Sequence, residues 1–270
     1  MSTPPPLTEV LSGLFSPWLF LAISLSYLPG AILRDPFSPG RLQASWFSAF
    51  WAKMGPNVRT NAEARVLPLL RGRWRGGRVV GDEDDGGAAV SGTVVEIGPG
   101  SGMWVSIFSD RYLQPSSGGG EEDAKPGVRR RGAATASVTK VFGVEPNAEM
   151  HDALGKKIRE AGLEGVYEIV PVGIEDLASS GRVQPESVDC IVSVLCLCGI
   201  PEPERNIKEL YGYLKPGGRW YVYEHVKCDP KQGWAMGLYQ GMFKPPTLAC
   251  TGMFASRVGG NESNLECQRL

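Results

Sequence analysis

The stretch that decides the fold is Val94-Val95-Glu96-Ile97-Gly98-Pro99-Gly100-Ser101-Gly102-Met103-Trp104. Its start predicts a buried strand, because β-branched side chains favour strands. The glycines that follow predict a turn in which no side chain blocks the backbone. A ligand can lie against such a turn and meet the N–H groups that open the next helix. The stretch therefore predicts a cofactor site of the nucleotide type, although a glycine turn can also be purely structural.

The spacing of the glycines discriminates between cofactors. Glycines at positions 98, 100 and 102 give G-x-G-x-G, whereas the dinucleotide fingerprint G-x-G-x-x-G requires glycine at position 103, which is Met103 here. The spacing therefore favours S-adenosylmethionine over NAD as the cofactor.

The composition narrows the range of partners. The chain has 270 residues, of which 42% are hydrophobic and 21% charged, and this suits one α/β domain with extensions. A net charge of -1 gives no reason to expect nucleic acid as a partner. Six cysteines without C-x-x-C spacing and only two histidines argue against a zinc site. Cysteines within an apolar run indicate a reducing compartment for the catalytic part.

A long uncharged segment, residues 10–33, precedes the rest of the chain. A helix of this length could cross a bilayer, or it could lie in the interface, because Pro17 and Pro29 leave a shorter unbroken piece. We expect it to attach the protein to a membrane; the alternative is a buried amphipathic helix that covers the active site. By the positive-inside rule, three basic residues that follow place the downstream domain in the cytosol: Arg34, Arg41 and Lys53.

The composition divides the chain into four segments. Residues 1–41 form the anchor and a linker, and residues 42–92 form covering helices and a flexible loop. Residues 93–226 form the cofactor-binding core, interrupted at 114–136 by a low-complexity insertion that predicts disorder. Residues 227–270 contain no pair of strand-like runs and predict an irregular, shortened C-terminus.

The core alternates strands and helices. Beyond the strand at 94–97, apolar runs predict strands over 138–144, 167–172, 188–194 and 219–226. Helices are expected over 103–113, 148–161 and 202–214, and as two pieces over 42–70 with a break near Gly55-Pro56. This order predicts an α/β fold with a doubly wound, mainly parallel sheet, in which ligands bind beyond the carboxyl ends of the strands.

Four strand ends should converge on one crevice, and each supplies residues suited to one part of S-adenosylmethionine. The glycine turn admits the methionine moiety and ribose, Glu96 can hold the loop or orient the ammonium group, and Glu145 can accept both ribose hydroxyls. Ile174 can pack on adenine, while Glu175 or the neighbouring Asp176 accepts from its amine. The predicted cofactor residues are Glu96, Gly98, Gly100, Gly102, Glu145, Pro146, Ile174, Glu175, Ser193 and Val194.

His225 is the candidate general base. It follows the last predicted strand at the lip of the crevice, and imidazole titrates near neutrality. A hydrogen-bonded structural role is the alternative. Direct methyl transfer needs no cysteine nucleophile, so Cys196 and Cys198 should serve packing.

Four ordered motifs carry a resemblance to a known family. They are EIGPGSG at 96–102, EPN at 145–147, SVDCIV at 187–192 and LKPGG at 214–218. Together they resemble the motifs of class I S-adenosylmethionine-dependent methyltransferases, of the subtype related to ubiquinone and menaquinone biosynthesis enzymes. The resemblance implies a Rossmann-like fold, S-adenosylmethionine as the cofactor and methyl transfer as the reaction.

A narrower resemblance involves three further features. The uncharged N-terminal segment, LCLC at 195–198 and YEHV at 223–226 resemble the membrane-anchored methyltransferase-like seven group. This resemblance implies attachment to the endoplasmic reticulum or lipid droplets and methylation of small thiols.

We therefore expect a membrane-associated methyltransferase with a small-molecule acceptor, whose sulfur, nitrogen or oxygen takes the methyl group in detoxification or in secondary metabolism. One alternative is a non-catalytic S-adenosylmethionine-binding protein that has lost its acceptor pocket. The other is an NAD-dependent oxidoreductase, which Met103 and the lack of a convincing Tyr-x-x-x-Lys pair disfavour.

Overall fold

The computed structural model describes residues 7–75, 78–80, 87–113, 137–224 and 265–268. Within these residues, two long helices precede a six-stranded sheet that is covered by helices. The insertion expected at 114–136 and the candidate base His225 lie outside the described residues.

The two N-terminal helices, α1 (Leu7–Arg34) and α2 (Pro39–Leu70), pack side by side. The indole Nε1 of Trp46 donates to the backbone oxygen of Ser24 at 2.6 Å. The rings of Phe20 and Phe50 meet edge to face, with centroids 6.3 Å apart. One face of α1 is therefore covered by α2.

The helix α2 continues unbroken through Pro56, so the predicted break near Gly55-Pro56 is wrong. A proline inside a helix removes one backbone hydrogen bond. Side chains on both sides of it are buried, including Phe50 and Met54 before it and Ala62 after it. Tertiary packing therefore outweighs the local cost of the proline.

The predicted α/β fold with a mainly parallel sheet is confirmed. A short antiparallel pair, β1 (Trp74–Arg75) and β2 (Arg78–Val79), stands apart from the main sheet. The main sheet comprises β3 (Gly92–Ile97), β4 (Val138–Val144), β5 (Tyr167–Val170), β6 (Val188–Val194), β7 (Leu214–Tyr223) and β8 (Leu265–Gln268). The strand order is β5-β4-β3-β6-β7-β8, and all neighbours are parallel. The order reverses at β3, which creates the switch point beyond its carboxyl end.

Four shorter helices connect the strands: α3 (Asp110–Leu113), α4 (Ala148–Glu160), α5 (Leu177–Ser180) and α6 (Pro203–Tyr211). The start of α4 is capped by Asn147, whose side chain accepts from the backbone N–H of Glu149 at 3.1 Å. Successive side chains of β3 point to opposite faces of the sheet and enter two separate apolar cores. Val94 packs in the core on the side of α2 and α4, and Val95 packs in the core on the side of α5 and α6.

The helix expected over 103–113 is absent. The chain instead forms a 3-10 turn, Val105–Phe108, followed by the single-turn helix α3. The backbone oxygen of Met103 accepts from the guanidinium of Arg59 on α2 at 2.6 Å instead of from a helical N–H group. A side chain from a distant segment therefore fixes the position of this carbonyl group.

The strand β7 begins at Leu214, earlier than the predicted start at 219, and α6 ends at Tyr211, earlier than predicted. Leu214 pairs with Val188, and the register then shifts before Cys190, so the strand absorbs the Pro-Gly-Gly sequence as an irregularity. The edge of β7 also pairs with β8, a short strand at 265–268 within the segment that the sequence predicts to be irregular. An unpaired strand edge offers hydrogen-bonding groups that such a strand can satisfy.

Candidate cofactor and acceptor site

The glycine turn after β3 adopts a left-handed backbone at each glycine, with φ of 61° at Gly98, 57° at Gly100 and 84° at Gly102. An added Cβ at Gly98 would lie 2.8 Å from the Cβ of Cys196, and one at Gly102 would lie 2.8 Å from that of Lys157. An added Cβ at Gly100 would meet no atom within 4 Å. The turn therefore packs against protein at both ends, and its middle faces open space where a ligand fits.

Glu145 follows β4 and holds the glycine turn. Its Oε2 accepts from the backbone N–H of Gly100 at 2.8 Å, and its Oε1 accepts from that of Asn147 at 2.9 Å. Burial raises the pKa of Glu145, while the N–H groups of Asn147 and Gly100 act in the opposite direction. Each carboxylate oxygen retains a second lone pair, so Glu145 can hold the turn and still accept from a ligand hydroxyl.

A cavity of about 750 Å³ opens beyond the carboxyl ends of β3, β4 and β6, with α2 as its opposite wall. This is the switch point of the sheet, where ligands of doubly wound folds bind. Seven of the ten predicted cofactor residues line it: Gly98, Gly100, Glu145, Pro146, Ile174, Glu175 and Val194. The structure therefore brings the predicted strand ends together around one cavity.

The other three predicted residues, Glu96, Gly102 and Ser193, lie behind the cavity wall. Glu96 is buried and accepts a hydrogen bond from the hydroxyl of Tyr167. Burial raises the pKa of Glu96 to about 7, although the bond from Tyr167 lowers it. Ser193 is fully buried and accepts from the indole Nε1 of Trp220 at 3.0 Å. These positions support the cavity instead of lining it.

Sequence reasoning missed the wall that α2 contributes. Phe47 and Trp51 on this helix face the cavity, with ring centroids 6.0 Å apart. Their spacing of four residues on a predicted helix was the available signal, because such residues share a helix face. Further apolar side chains complete the wall: Val58, Met103, Trp104, Leu195 and Ile200. Among the described residues that line the cavity, none is a lysine or a histidine.

Arg59 on α2 is a second residue that sequence reasoning missed. Its Nη1 donates to the backbone oxygen of Met103 at 2.6 Å, and its Nη2 donates to the Oγ of Ser106 at 2.9 Å. Its guanidinium also lies 5.6 Å from the ring centroid of Trp104. The planar guanidinium therefore holds the exit of the glycine turn at several points.

Glu224 performs a similar task after β7. Its Oε1 accepts from the backbone N–H groups of Cys196 at 3.0 Å and Leu197 at 3.2 Å. These bonds hold the segment after β6, where Leu195 has a left-handed φ of 55°. Burial raises the pKa of Glu224 to about 7, against the lowering effect of the two N–H donors.

Cys196 and Cys198 both line the cavity. Burial raises the pKa of the Cys196 thiol well above its ordinary value and that of Cys198 to about 12. Both thiols are therefore neutral near physiological pH, and neutral thiols are poor nucleophiles. This agrees with the packing role expected of them.

The sheet order, the glycine turn and the carboxylate after the next strand together define a Rossmann-like domain of the nucleotide-cofactor type. Residues 126–222 match the protein family described as "Methyltransferase domain". This part of the chain is therefore similar to methyltransferase domains, as the four sequence motifs predict, and S-adenosylmethionine is the methyl donor of the class I domains that those motifs resemble.

Several characterised proteins are similar to parts of the chain. Human thiol S-methyltransferase TMT1B is 28% identical over 102 residues, which are 38% of this chain and 40% of that protein. The rat TMT1B protein is 33% identical over 109 residues, 39% of this chain and 41% of the relative. The phosphatidylethanolamine N-methyltransferase of Cereibacter sphaeroides is 24% identical over 141 residues, 52% of this chain and 54% of the relative.

The chain thus spans between 40% and 54% of the length of these relatives. Among solved structures, a SAM-dependent methyltransferase from Aquifex aeolicus is similar with a TM-score of 0.36 and 17% identity. The similarity covers 56% of this chain and 71% of that one.

We predict that Arg59→Lys loosens the exit of the glycine turn, because a lysine ammonium cannot reproduce the forked hydrogen bonds of the guanidinium. Loss of one hydrogen bond to a charged group, about 1.5 kcal/mol, should speed local amide exchange over 101–106 roughly tenfold. Hydrogen–deuterium exchange measures this. Arg65→Lys, at an exposed position on the same helix, is the matched control and should leave exchange unchanged. Equal exchange in both variants would contradict the role of Arg59.

A second prediction concerns pH. Because the pKa of Glu96 is raised from 4.5 to about 7 in the folded protein, the folded state binds more protons than the unfolded state between these values. The contribution of Glu96 to stability is complete below the unfolded pKa and is lost as pH rises through about 7. Relative to Glu96→Gln, the wild-type free energy of unfolding should fall with pH in this window, by at most about 1.4 kcal/mol per pH unit.

Urea unfolding of both proteins at several pH values measures the difference. Glu164→Gln, at an exposed position, is the control and should follow the wild-type curve. Parallel wild-type and Glu96→Gln curves across the window would contradict the assignment.

Proposed function

We propose that the protein transfers a methyl group from S-adenosylmethionine to the sulfur of a small apolar thiol. The observation that carries this proposal is the continuity of one cavity of about 750 Å³, which runs from the glycine turn held by Glu145 to the apolar wall of α2. One end of the cavity suits a nucleoside cofactor, and the other suits an uncharged acceptor.

On the cofactor side, we propose that Glu145 accepts the ribose hydroxyls with the lone pairs that the two backbone N–H groups leave unused. Ile174 packs on adenine, and Glu175 or Asp176 accepts from the adenine amine. Pro146 and Val194 complete this surface. Glu96, Gly102 and Ser193 act from behind the wall, where they keep the strand ends in place.

On the acceptor side, the side chains position a nucleophile and exclude water. S-adenosylmethionine, when bound, would supply a methyl group on a sulfonium: the acceptor lone pair would form a bond to the methyl carbon as the bond from that carbon to the sulfonium breaks, and S-adenosylhomocysteine would leave. The apolar surface of Phe47, Trp51 and Met103 strips water from the acceptor and orients it. In water a thiol has a pKa of about 8.5, so a fraction of it is already thiolate when it enters the cavity, and its proton has been left in the solvent.

One observation favours a thiol over an amine or a hydroxyl. The human and rat relatives are thiol S-methyltransferases. His225 remains our candidate base for an amine or hydroxyl acceptor.

The test is methyl transfer from labelled S-adenosylmethionine by the purified full chain to a panel of thiols, amines and phenols. We expect turnover with apolar thiols. Tight S-adenosylhomocysteine binding without turnover of any acceptor would favour the non-catalytic alternative, and protection from thermal unfolding by NADH alone would favour an oxidoreductase.

We predict that Glu145→Ala weakens S-adenosylhomocysteine binding by about 1.5–3 kcal/mol, the range for lost hydrogen bonds to a charged group. Titration calorimetry measures the change. Glu164→Ala removes an exposed carboxylate far along the chain and serves as the control. Unchanged affinity in Glu145→Ala would show that this carboxylate does not serve the ribose.

We further propose that α1 associates with a membrane and that the catalytic domain faces the cytosol, with the endoplasmic reticulum as the expected membrane. Residues 15–34 of α1 are long and apolar enough to cross a bilayer, with a mean hydropathy of 1.5. Large apolar side chains on this helix are exposed, among them Phe15, Leu19 and Leu25. An exposed apolar face of this size indicates an interaction surface.

The triple variant Phe15→Ser/Leu19→Ser/Leu25→Ser should move the protein from the vesicle pellet to the supernatant, because each substitution removes apolar surface that lipid would cover. Sedimentation with phosphatidylcholine vesicles measures the partition. Val79→Ser, which changes an exposed apolar residue on β2, should sediment like the wild type. Sedimentation of the triple variant to the same extent would refute membrane association through this face.

A further inference from the structure

The turn between α1 and α2 forms part of the rim of the cavity. Gly40 and Arg41, just after this turn, line the cavity. Arg34, just before it, pairs through Nη2 with Oε2 of Glu149 at 2.6 Å, and Glu149 also lines the cavity. The ion pair and the lining residues therefore tie both ends of the turn to the cavity mouth.

Two apolar side chains at this turn are almost fully exposed, Leu33 at the end of α1 and Phe37 in the turn itself. Leu33 is 85% accessible to solvent and Phe37 is 96% accessible. Large apolar side chains so exposed beside a cavity mouth are costly in water, because each leaves its apolar surface hydrated. A partner that covers them would also stand at the entrance of the cavity.

The exposed apolar surface continues from the rim along α1. The face of α1 opposite α2 carries exposed apolar residues from Phe15 to Leu33, a length of about 27 Å at the helical rise. Among the exposed residues described on this face, the hydroxyl of Ser26 is satisfied by the backbone oxygen of Ile23 at 2.6 Å. The hydroxyl proton of this exposed serine is therefore already bound within the helix.

A lipid bilayer fits this surface better than a second protein copy does. The segment 10–33 contains no charge, whereas Arg34 and Arg41 at the rim keep side chains that are 57% and 73% exposed. Apolar side chains followed by exposed arginines match the change from acyl chains to headgroups. Ion pairs of Arg34 with Glu149 and of Arg41 with Asp35 lower the net charge, so zwitterionic lipid suffices.

We propose that the turn between α1 and α2 inserts Leu33 and Phe37 into the lipid interface, so that the cavity opens toward the membrane and an apolar acceptor enters from the lipid phase. This inference rests on the proposed function. A thiol with a long alkyl chain concentrates in the bilayer, and a mouth at its surface admits it without passage through water. A small polar thiol reaches the same cavity from the aqueous side.

The test compares two full-length double variants, Leu33→Ser/Phe37→Ser at the rim and Leu19→Ser/Leu25→Ser farther along the same face. Each is assayed with enough phosphatidylcholine vesicles to sediment at least about nine-tenths of the protein, so that loss of membrane binding does not enter the comparison. The acceptors are a long-chain alkyl thiol and 2-mercaptoethanol.

We expect the rim variant to raise KM for the long-chain thiol at least about fivefold, because the lipid contact at the mouth is lost. Its KM for 2-mercaptoethanol and its affinity for S-adenosylhomocysteine should stay at wild-type values. The control variant should keep wild-type KM for both thiols.

Equal KM values for the long-chain thiol in both variants would overturn the inference, as would equal effects of the rim variant on both thiols. Sedimentation velocity tests the alternative. If the wild type is a dimer and the rim variant is a monomer, the surface binds a second copy of the chain and the inference is overturned. If the wild type methylates 2-mercaptoethanol, these outcomes overturn only the entry route. If it methylates neither thiol, the proposed function fails and this inference with it.

Discussion

The carboxylate of Glu145 is the interaction on which the rest of the site depends. It receives one N–H group from the turn after β3, at Gly100, and one from the start of α4, at Asn147. Two loops that emerge from neighbouring strands are thereby joined by one side chain. Glycine adopts the left-handed conformation of the turn at little cost, and a partner 45 residues away fixes the position of the turn.

The same principle recurs around the cavity. Arg59 holds the exit of the glycine turn, and Glu224 holds the segment after β6. Behind the wall, Tyr167 reaches Glu96 across β4, and the absence of a side chain at Gly143 makes this possible, since a Cβ there would lie 2.3 Å from the tyrosine oxygen. The loops after β3 and β6 are therefore each held by a side chain from another element.

These polar contacts are buried, and burial disfavours charge. The pKa of Glu96 and that of Glu224 both rise to about 7 for this reason. A carboxyl group that is buried away from cations stabilises the site by hydrogen bonds more than by its charge. On the acceptor side of the cavity, α2 contributes the rings of Phe47 and Trp51, and the buried indole Nε1 of Trp51 has no hydrogen-bond partner.

The sequence by itself determined the elements whose signals are local. The strands at 138–144 and 188–194 match their predictions, and α4 matches within one residue at its end, because apolar runs and the Asn147 cap are read from adjacent residues. The glycine spacing and the strand ends likewise predicted seven residues that line the cavity. Because parallel strands have their carboxyl ends at the same edge of the sheet, residues that follow different strands lie close together there.

Only the tertiary structure decided how the cavity is closed. The helix α2 continues through Pro56 with buried side chains on both sides of it, and the segment after the glycine turn forms a 3-10 turn, where the oxygen of Met103 accepts from Arg59. Glu96 and Ser193 turned out to lie behind the wall, and Phe47 and Trp51 form its other side. These features depend on contacts between residues that are far apart in sequence. Local sequence patterns do not predict which distant side chain will make such a contact.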